Sequence, residues 1–117
     1  MTISYRNFGN EITEQQALAV GQYDKLFKDN NTLVKKEYYR NNVLHSITHY
    51  LQPSDIEIDI VQALTPLVEF NVIISDPKIP LGGFFASNER TYKNEELIIN
   101  SRVLYDAFDN EICIEWL

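Results

Sequence analysis

Two histidines, His45 and His49, stand four residues apart, and their type and spacing could serve metal chemistry. On a helix, this spacing puts both rings on one face, within reach of a single zinc ion. On a strand, four residues span ~13 Å, which is too far for two ligands of one ion. The flanking residues favour a strand, and HSITH lacks the glutamate of the HExxH motif. We therefore predict no metal site and no cofactor.

A group of acidic residues near the C-terminus is the second chemical feature. The segments 103–108 and 111–117 alternate apolar and polar residues and flank the turn pair Asp109-Asn110, which predicts a β-hairpin. Pairing Phe108 with Glu111 gathers three carboxylates on one face of this hairpin: Asp106, Glu111 and Glu115.

Paired carboxyls act as general acid and base only when their environments separate their pKa values. A solvated strand face provides no such difference. The three carboxylates are then either an ordinary charged surface or a binding surface for a basic partner, and the sequence leaves both open. Cys113, the single cysteine, has no basic neighbour in the hairpin that would favour a reactive thiolate. GxSxG, CxxC and P-loop patterns are absent from the sequence, so we predict a protein without enzymatic activity.

Charge is the most distinctive bulk property. Seventeen acidic against ten basic residues leave a formal charge of −7, which disfavours direct binding of nucleic acid. The charge serves either solubility or the attraction of a basic protein. The 117 residues predict a single domain, 1–117. Without a signal peptide or a long apolar segment, we expect no membrane association and a cytoplasmic location.

The elements that would carry these residues centre on the segment Leu33–Leu51. It is rich in aromatic and β-branched residues on both sides of Asn41-Asn42, a pair that tolerates the positive φ of a tight turn. A second pair, Asn30-Asn31, lies eleven residues earlier. This spacing predicts a meander of short antiparallel strands.

Two helices are expected beside the sheet. Thr13 and Gln16 form a capping-box pattern, which predicts a short helix at about 13–21. Ser54 and Glu57 repeat the pattern ahead of an apolar stripe, which predicts the main helix at about 54–65. Asp55 and Asp59 in its first turn form a second candidate acidic patch.

The remaining segments complete the predicted fold. Residues 68–75 predict a buried strand, 76–83 a loop, and 87–94 an exposed connection. The fold class is therefore α+β, with an antiparallel sheet of about six strands and the main helix packed on one face.

The run KKEYYRNNVLHSITHYL resembles the strand-turn-strand units of MORN-type repeat proteins. The resemblance covers residues 23–51 and departs from that family in lacking its glycines. It implies a shape and not an activity.

In size, acidity and the absence of catalytic or cofactor motifs, the chain resembles the immunity proteins of contact-dependent inhibition and other polymorphic toxin systems. The resemblance implies a protein-binding module that neutralises a bacterial toxin domain, such as a basic nuclease, by occluding its active site. The binding carboxylates would be Asp106, Glu111, Glu115, Asp55 and Asp59. One alternative is a small-ligand-binding or enzymatic domain with a pocket between sheet and helix. Another is a homo-oligomer that pairs through a sheet edge.

Overall fold

The structure, a computed structural model, describes residues 1–108 and 110–117. The described chain is mostly β-strand, with two short α-helices and one 3-10 helix. Its elements, in chain order, are β1 (Thr2–Asn7), β2 (Asn10–Ile12), α1 (Glu14–Val20), β3 (Tyr23–Asp29), β4 (Thr32–Arg40), β5 (Val43–Tyr50), α2 (Glu57–Leu64), the 3-10 helix (Thr65–Leu67), β6 (Asn71–Ser75), β7 (Ile79–Leu81), β8 (Phe84–Lys93), β9 (Glu96–Tyr105) and β10 (Glu111–Trp116).

The strands form one mixed sheet in the order β10-β9-β8-β6-β5-β4-β3-β1-β2, and β7 pairs with the end of β8. Neighbouring strands are antiparallel except β5 and β6, which are parallel. A parallel pair needs a crossover, and α2 with the 3-10 helix provides it. The predicted fold class, an antiparallel sheet of about six strands with one main helix, is therefore wrong, because the described residues contain ten strands and two short helices.

Strand β8 is the largest single difference, and β7 also lies within the segment predicted as a loop, 76–83. The predicted exposed connection at 87–94 lies almost wholly within β8, which pairs with β9 along its length. The turn between them is Asn94-Glu95, whose φ angles are 52° and 68°. Glutamate is not a typical residue at a positive φ, so the sequence carried no clear signal for this hairpin.

The Asn-Asn pairs form the turns that the sequence predicts. Asn30-Asn31 joins β3 to β4, and Asn41-Asn42 joins β4 to β5, with φ between 51° and 64° at all four residues. Helix α1 also forms as predicted, with the Thr13–Gln16 capping box present and Gly21 ending the helix at φ 80°. The predicted turn at Asp109-Asn110 includes Asp109, which lies outside the described residues.

Helix α2 begins later than predicted. The expected range was about 54–65, but the helix spans Glu57–Leu64, and its N-cap, Ile56, makes no side-chain capping bond. The Ser54 capping box does not form because the Glu57 carboxylate instead accepts hydrogen bonds from Arg90 and Tyr92. The buried core lies beneath this helix, where Val61 packs on Val72 and Ile74 of β6.

Consecutive strand partners define two faces of the sheet. The row Tyr5, Lys25, Glu37, Ile47 and Val72 runs across β1, β3, β4, β5 and β6 in register. It lies on the face against which α2 packs, hereafter the helix face. The opposite, open face carries a hydroxyl-rich set of buried side chains, namely Ser46, Thr48, Ser75, Ser87, Thr91 and Ser101.

Candidate functional site

The open face curls around a cleft of about 840 Å³. Arg6 of β1 and Glu111 of β10 both line it, although six strands separate β1 from β10 in the sheet order. Only a strongly curled sheet brings such distant strands to one cavity. The volume falls within the roughly 300–1,000 Å³ typical of ligand pockets. The cleft is therefore the candidate site, and it lies on the face opposite to the expected pocket between sheet and helix.

The floor beside the cleft is built from small hydroxyl side chains. Ser75 and Ser87 are 1% and 2% exposed, and their hydroxyl oxygens lie 3.0 Å apart in a hydrogen bond. The Ser87 hydroxyl also lies 2.6 Å from the Asp76 carbonyl oxygen, to which it can donate. Because these side chains satisfy each other and the backbone, they can be buried without large cost. They keep the open face polar without filling it.

Lys36 acts on two carboxyl groups of the open face, those of Asp24 and Glu89. Lys36 and Asp24 line the cleft, and Glu89 lies beside them on β8. Burial raises the pKa of Asp24 above its ordinary value, while the ammonium of Lys36 and the guanidinium of Arg6 oppose that shift. Burial likewise raises the pKa of Glu89, and Lys36 again opposes the shift. One lysine thus stabilises the ionised forms of two partly desolvated carboxyls.

Glu89 has further polar neighbours. Hydrogen bonds with the hydroxyls of Ser75 and Tyr105 lower its pKa, whereas the negative charge of Glu111 raises it. Within the described residues, Glu89 takes part in no ion pair. A cation placed beside Glu89 would favour its ionised form.

The carboxylates predicted from the C-terminal hairpin are not gathered together. Asp106 caps the turn, since its side chain accepts from the N–H groups of Phe108 and Asn110 at 2.8 and 2.9 Å. Glu115 pairs with Arg102, with Nε and Oε2 3.1 Å apart. Only Glu111 reaches the cleft. The cause is a register shift between Glu111 and Cys113, which places Glu111 opposite Tyr105 on the open face.

Asp55 and Asp59, the second predicted acidic patch, lie in different surroundings. The Asp55 carboxylate lies 2.8 Å from Nε2 of His49 and accepts from the N–H of Gln52. The hydrogen bond with His49, followed by that from Gln52, lowers the pKa of Asp55. Asp59 is exposed in the first turn of α2 and makes no ion pair within the described residues. Asp55 therefore links the loop between β5 and α2 to His49 of β5, whereas Asp59 is exposed at the surface.

The two histidines have separate surroundings. His49 contacts Asp55 as above, whereas His45 stacks on Phe70 with ring centroids 5.0 Å apart. Nδ1 of His45 lies 3.8 Å from the Glu69 carboxylate, beyond hydrogen-bond distance, and has no partner. Across residues 1–108 and 110–117, no group of three potential ligands is placed to hold a metal ion. Neither histidine lines the cleft.

Sequence reasoning missed Asp24 and Lys36, which line the cleft, and Glu89 beside them. Asp24 and Lys36 sit in segments read correctly as strands, but nothing local shows that both strands curl toward β10. Glu89 fell in the segment predicted as a connection. A comparison of the chain with protein-family models, curated proteins and solved structures gave no match. In the described part of the chain, no helix is long and apolar enough to cross a membrane.

Proposed function

We propose that this protein is a non-enzymatic protein-binding module whose cleft receives a basic side chain of its partner. The main support for this proposal is the environment of the Glu89 carboxylate beside the cleft. Burial raises the pKa of Glu89, the charge of Lys36 and hydrogen bonds with Ser75 and Tyr105 oppose this only in part, and the charge of Glu111 adds to the rise. The carboxylate takes part in no ion pair within the described residues. A lysine or arginine of the partner beside Glu89 would stabilise its ionised carboxylate.

The overall charge supports the same kind of partner. A chain with a net charge of −7 attracts a positively charged protein and accelerates its association at low ionic strength. Tyr50 and Tyr105 line the cleft beside the acidic residues. Tyrosine supplies large contact area together with a polar hydroxyl, which suits the centre of a binding surface.

The resemblance to immunity proteins indicates what kind of basic protein the partner would be. The partner would be a basic toxin domain, such as a nuclease, that this protein occludes in the cytoplasm. Carboxylates of the immunity protein would then occupy the positively charged substrate cleft of the toxin. Glu111 belongs to the set of residues expected from the sequence to do so, and Asp59 is a second exposed member of that set.

The test uses capture of partners on the immobilised protein, followed by mass spectrometry and by affinity measurement on the purified partner. We expect a partner with net positive charge, whose affinity weakens as salt is added. Substituting Glu89→Gln or Glu111→Gln should weaken binding at least tenfold, which is about 1.4 kcal/mol. Affinity should also fall as the pH drops through the pKa of Glu89, because the bound cation favours the ionised carboxylate.

Glu115→Gln is the matched control. Glu115 lies on the same strand as Glu111 but pairs with Arg102 on the helix face, so its substitution should leave partner affinity within twofold. If Glu89→Gln and Glu111→Gln bind as tightly as the unmodified protein, the cleft is not the binding surface. If the captured partner is acidic, the electrostatic basis of the proposal is wrong.

A second candidate function is favoured by Asp24, Lys36 and Glu89. Carboxyls with raised pKa values beside a cleft are typical of small-ligand and acid–base sites. This candidate predicts that a polar small molecule raises the melting temperature of the protein, and that Lys36→Met abolishes the effect. A polar-metabolite panel that leaves the melting temperature unchanged would count against it.

A further inference from the structure

The outer edge of β10 is an unpaired strand edge in the described chain. Strand β10 pairs with β9 on one side only. The strand at the other end of the sheet, β2, has three residues, whereas β10 has six. Natural edge strands are commonly protected by shortness, charge, proline or a bulge. Strand β10 contains no lysine or proline, and its irregularity, between Glu111 and Cys113, leaves Cys113–Trp116 in regular register. Its free edge is therefore suited to pairing with another strand.

The backbone orientation along β10 follows from one hydrogen bond. The N–H of Leu117 donates to the Asn100 carbonyl at 2.9 Å, so the main-chain groups of Leu117 face β9. In an antiparallel pair this orientation alternates along the strand. The main-chain groups of Glu115 and Cys113 then also face β9, whereas those of Ile114 and Trp116 face outward. These outward N–H and C=O groups are what an added strand would bind.

The side chains of β10 are unusually apolar for an exposed strand. Ile112, Ile114 and Trp116 are 52%, 46% and 70% exposed. Burying them would contribute to association through the hydrophobic effect. Glu115, between Ile114 and Trp116 in sequence, forms an ion pair with Arg102, which neutralises its charge. The edge thus offers both free hydrogen-bonding groups and apolar side chains beside them.

We propose that two copies of this chain pair antiparallel through β10, with the twofold axis at Ile114. In this register Ile114 faces its own copy and Ile112 faces Trp116, so apolar side chains meet across the interface. Cys113 faces Glu115, and no two acidic side chains are opposed.

The neighbouring symmetric registers are less favourable. An axis at Cys113 would oppose Glu111 to Glu115 twice, and an axis at Glu115 would oppose that residue to its own copy. Like charges directly opposite each other destabilise a sheet. The sequence of β10 is therefore self-complementary in the Ile114 register, which suits this edge to a second copy of the chain.

The test measures the mass of the purified protein by sedimentation equilibrium over a range of concentrations. The unmodified protein should form a dimer, and Ile114→Pro should raise the dimer dissociation constant at least tenfold. Because the Ile114 N–H faces outward, proline there removes no bond to β9. Trp116→Glu, at the most exposed of the three positions, should have the same effect without altering the backbone. A chain that stays monomeric at all concentrations, or a dimer that survives both substitutions, would overturn the proposal.

Cross-linking determines the register. In Glu115→Cys, mild oxidation should link Cys113 to the cysteine introduced at position 115 of the second copy. A Cys113–Cys113 link in the unmodified protein would instead indicate the Cys113 axis and overturn the proposed register. Added salt should strengthen this dimer, because it screens repulsion between two chains of charge −7. Added salt should instead weaken binding of the basic partner, so a salt titration distinguishes the two interactions.

Discussion

Arg90 and Glu57 form an ion pair with two parallel hydrogen bonds. Nε and Nη2 of Arg90 each donate to a different carboxylate oxygen of Glu57 at 2.8 Å. The same guanidinium also donates to both carboxylate oxygens of Asp76, at 2.9 and 2.6 Å. One side chain of β8 therefore holds both the start of α2 and the end of β6. This planar, two-sided geometry is specific to arginine.

Removing this guanidinium should destabilise the fold strongly. Arg90→Ala leaves two partly buried carboxylates without a cation, and we expect the free energy of unfolding to fall by about 3 kcal/mol. Arg102→Ala is the matched control, because Arg102 and Glu115 form an ion pair with side chains 40% and 39% exposed. Its loss should cost less than about 1 kcal/mol. Urea unfolding of both variants measures the difference, and equal effects would contradict the proposed role of Arg90.

The same pair predicts a dependence of stability on acid. The hydrogen bonds from Arg90 are the main reason that the pKa of Glu57 lies below its ordinary value. A lowered pKa means that the unfolded chain binds the proton more readily, so the contribution of Glu57 is present above its unfolded-state pKa. That contribution is lost as the pH falls through the folded-state pKa.

Urea midpoints measured from pH 7 to pH 2 should therefore fall more steeply for the unmodified protein than for Glu57→Gln. Parallel curves for the two proteins would show that Glu57 does not couple protonation to folding.

The two capping-box patterns show how far the sequence alone predicts the helices of this fold. Thr13 and Gln16 define a helix start correctly because, within the described residues, both side chains are engaged in the capping box itself. Ser54 and Glu57 have the same local pattern, but Arg90, thirty-three residues away in sequence, takes the Glu57 carboxylate. A local capping pattern predicts a helix start reliably only when no tertiary hydrogen bond or ion pair competes for the same side chains.

The cleft was unpredictable for a related reason. Ser87, Glu89 and Thr91 alternate along β8, yet two of them are buried hydroxyls and the third lies beside the cleft. Polar residues at strand spacing usually indicate a solvated face. Here the curl of the sheet encloses a polar face, and curl depends on contacts among all the strands rather than on any one segment.

Lys36 should control the protonation of both cleft carboxyls. Its ammonium lowers the pKa of Asp24 and that of Glu89, so Lys36→Met should raise both values. Carbon-13 NMR titration of the side-chain carboxyl groups would follow each residue separately. Lys25→Met, on the helix face, is the control and should leave both titrations unchanged. A rise at only one carboxyl would show that Lys36 does not act on both.

The Asn41-Asn42 turn contributes more than its backbone conformation. Nδ2 of Asn42 donates to the Leu18 carbonyl at the end of α1, at 3.1 Å. Asn42→Gly keeps the positive φ but removes this bond, whereas Asn31→Gly makes the same change at a turn whose side chain makes no bond to a helix. We expect Asn42→Gly to be less stable than Asn31→Gly by about 1 kcal/mol in urea unfolding. Equal stabilities would show that the side-chain bond contributes nothing.

Val61 is the side chain through which α2 packs against the parallel strand pair β5–β6. It is fully buried against Val72 and Ile74, so Val61→Ala removes apolar contact and leaves a cavity. The lost burial and the cavity together should cost about 2 kcal/mol. Ile58→Ala on the same helix removes a side chain that is 48% exposed, and should cost less than about 1 kcal/mol. Because Val61 packs directly on Val72 and Ile74 of β6, Val61→Ala should also speed amide hydrogen exchange in β6 more than in β3. Uniform acceleration across all strands would instead show that the crossover does not open separately from the rest of the sheet.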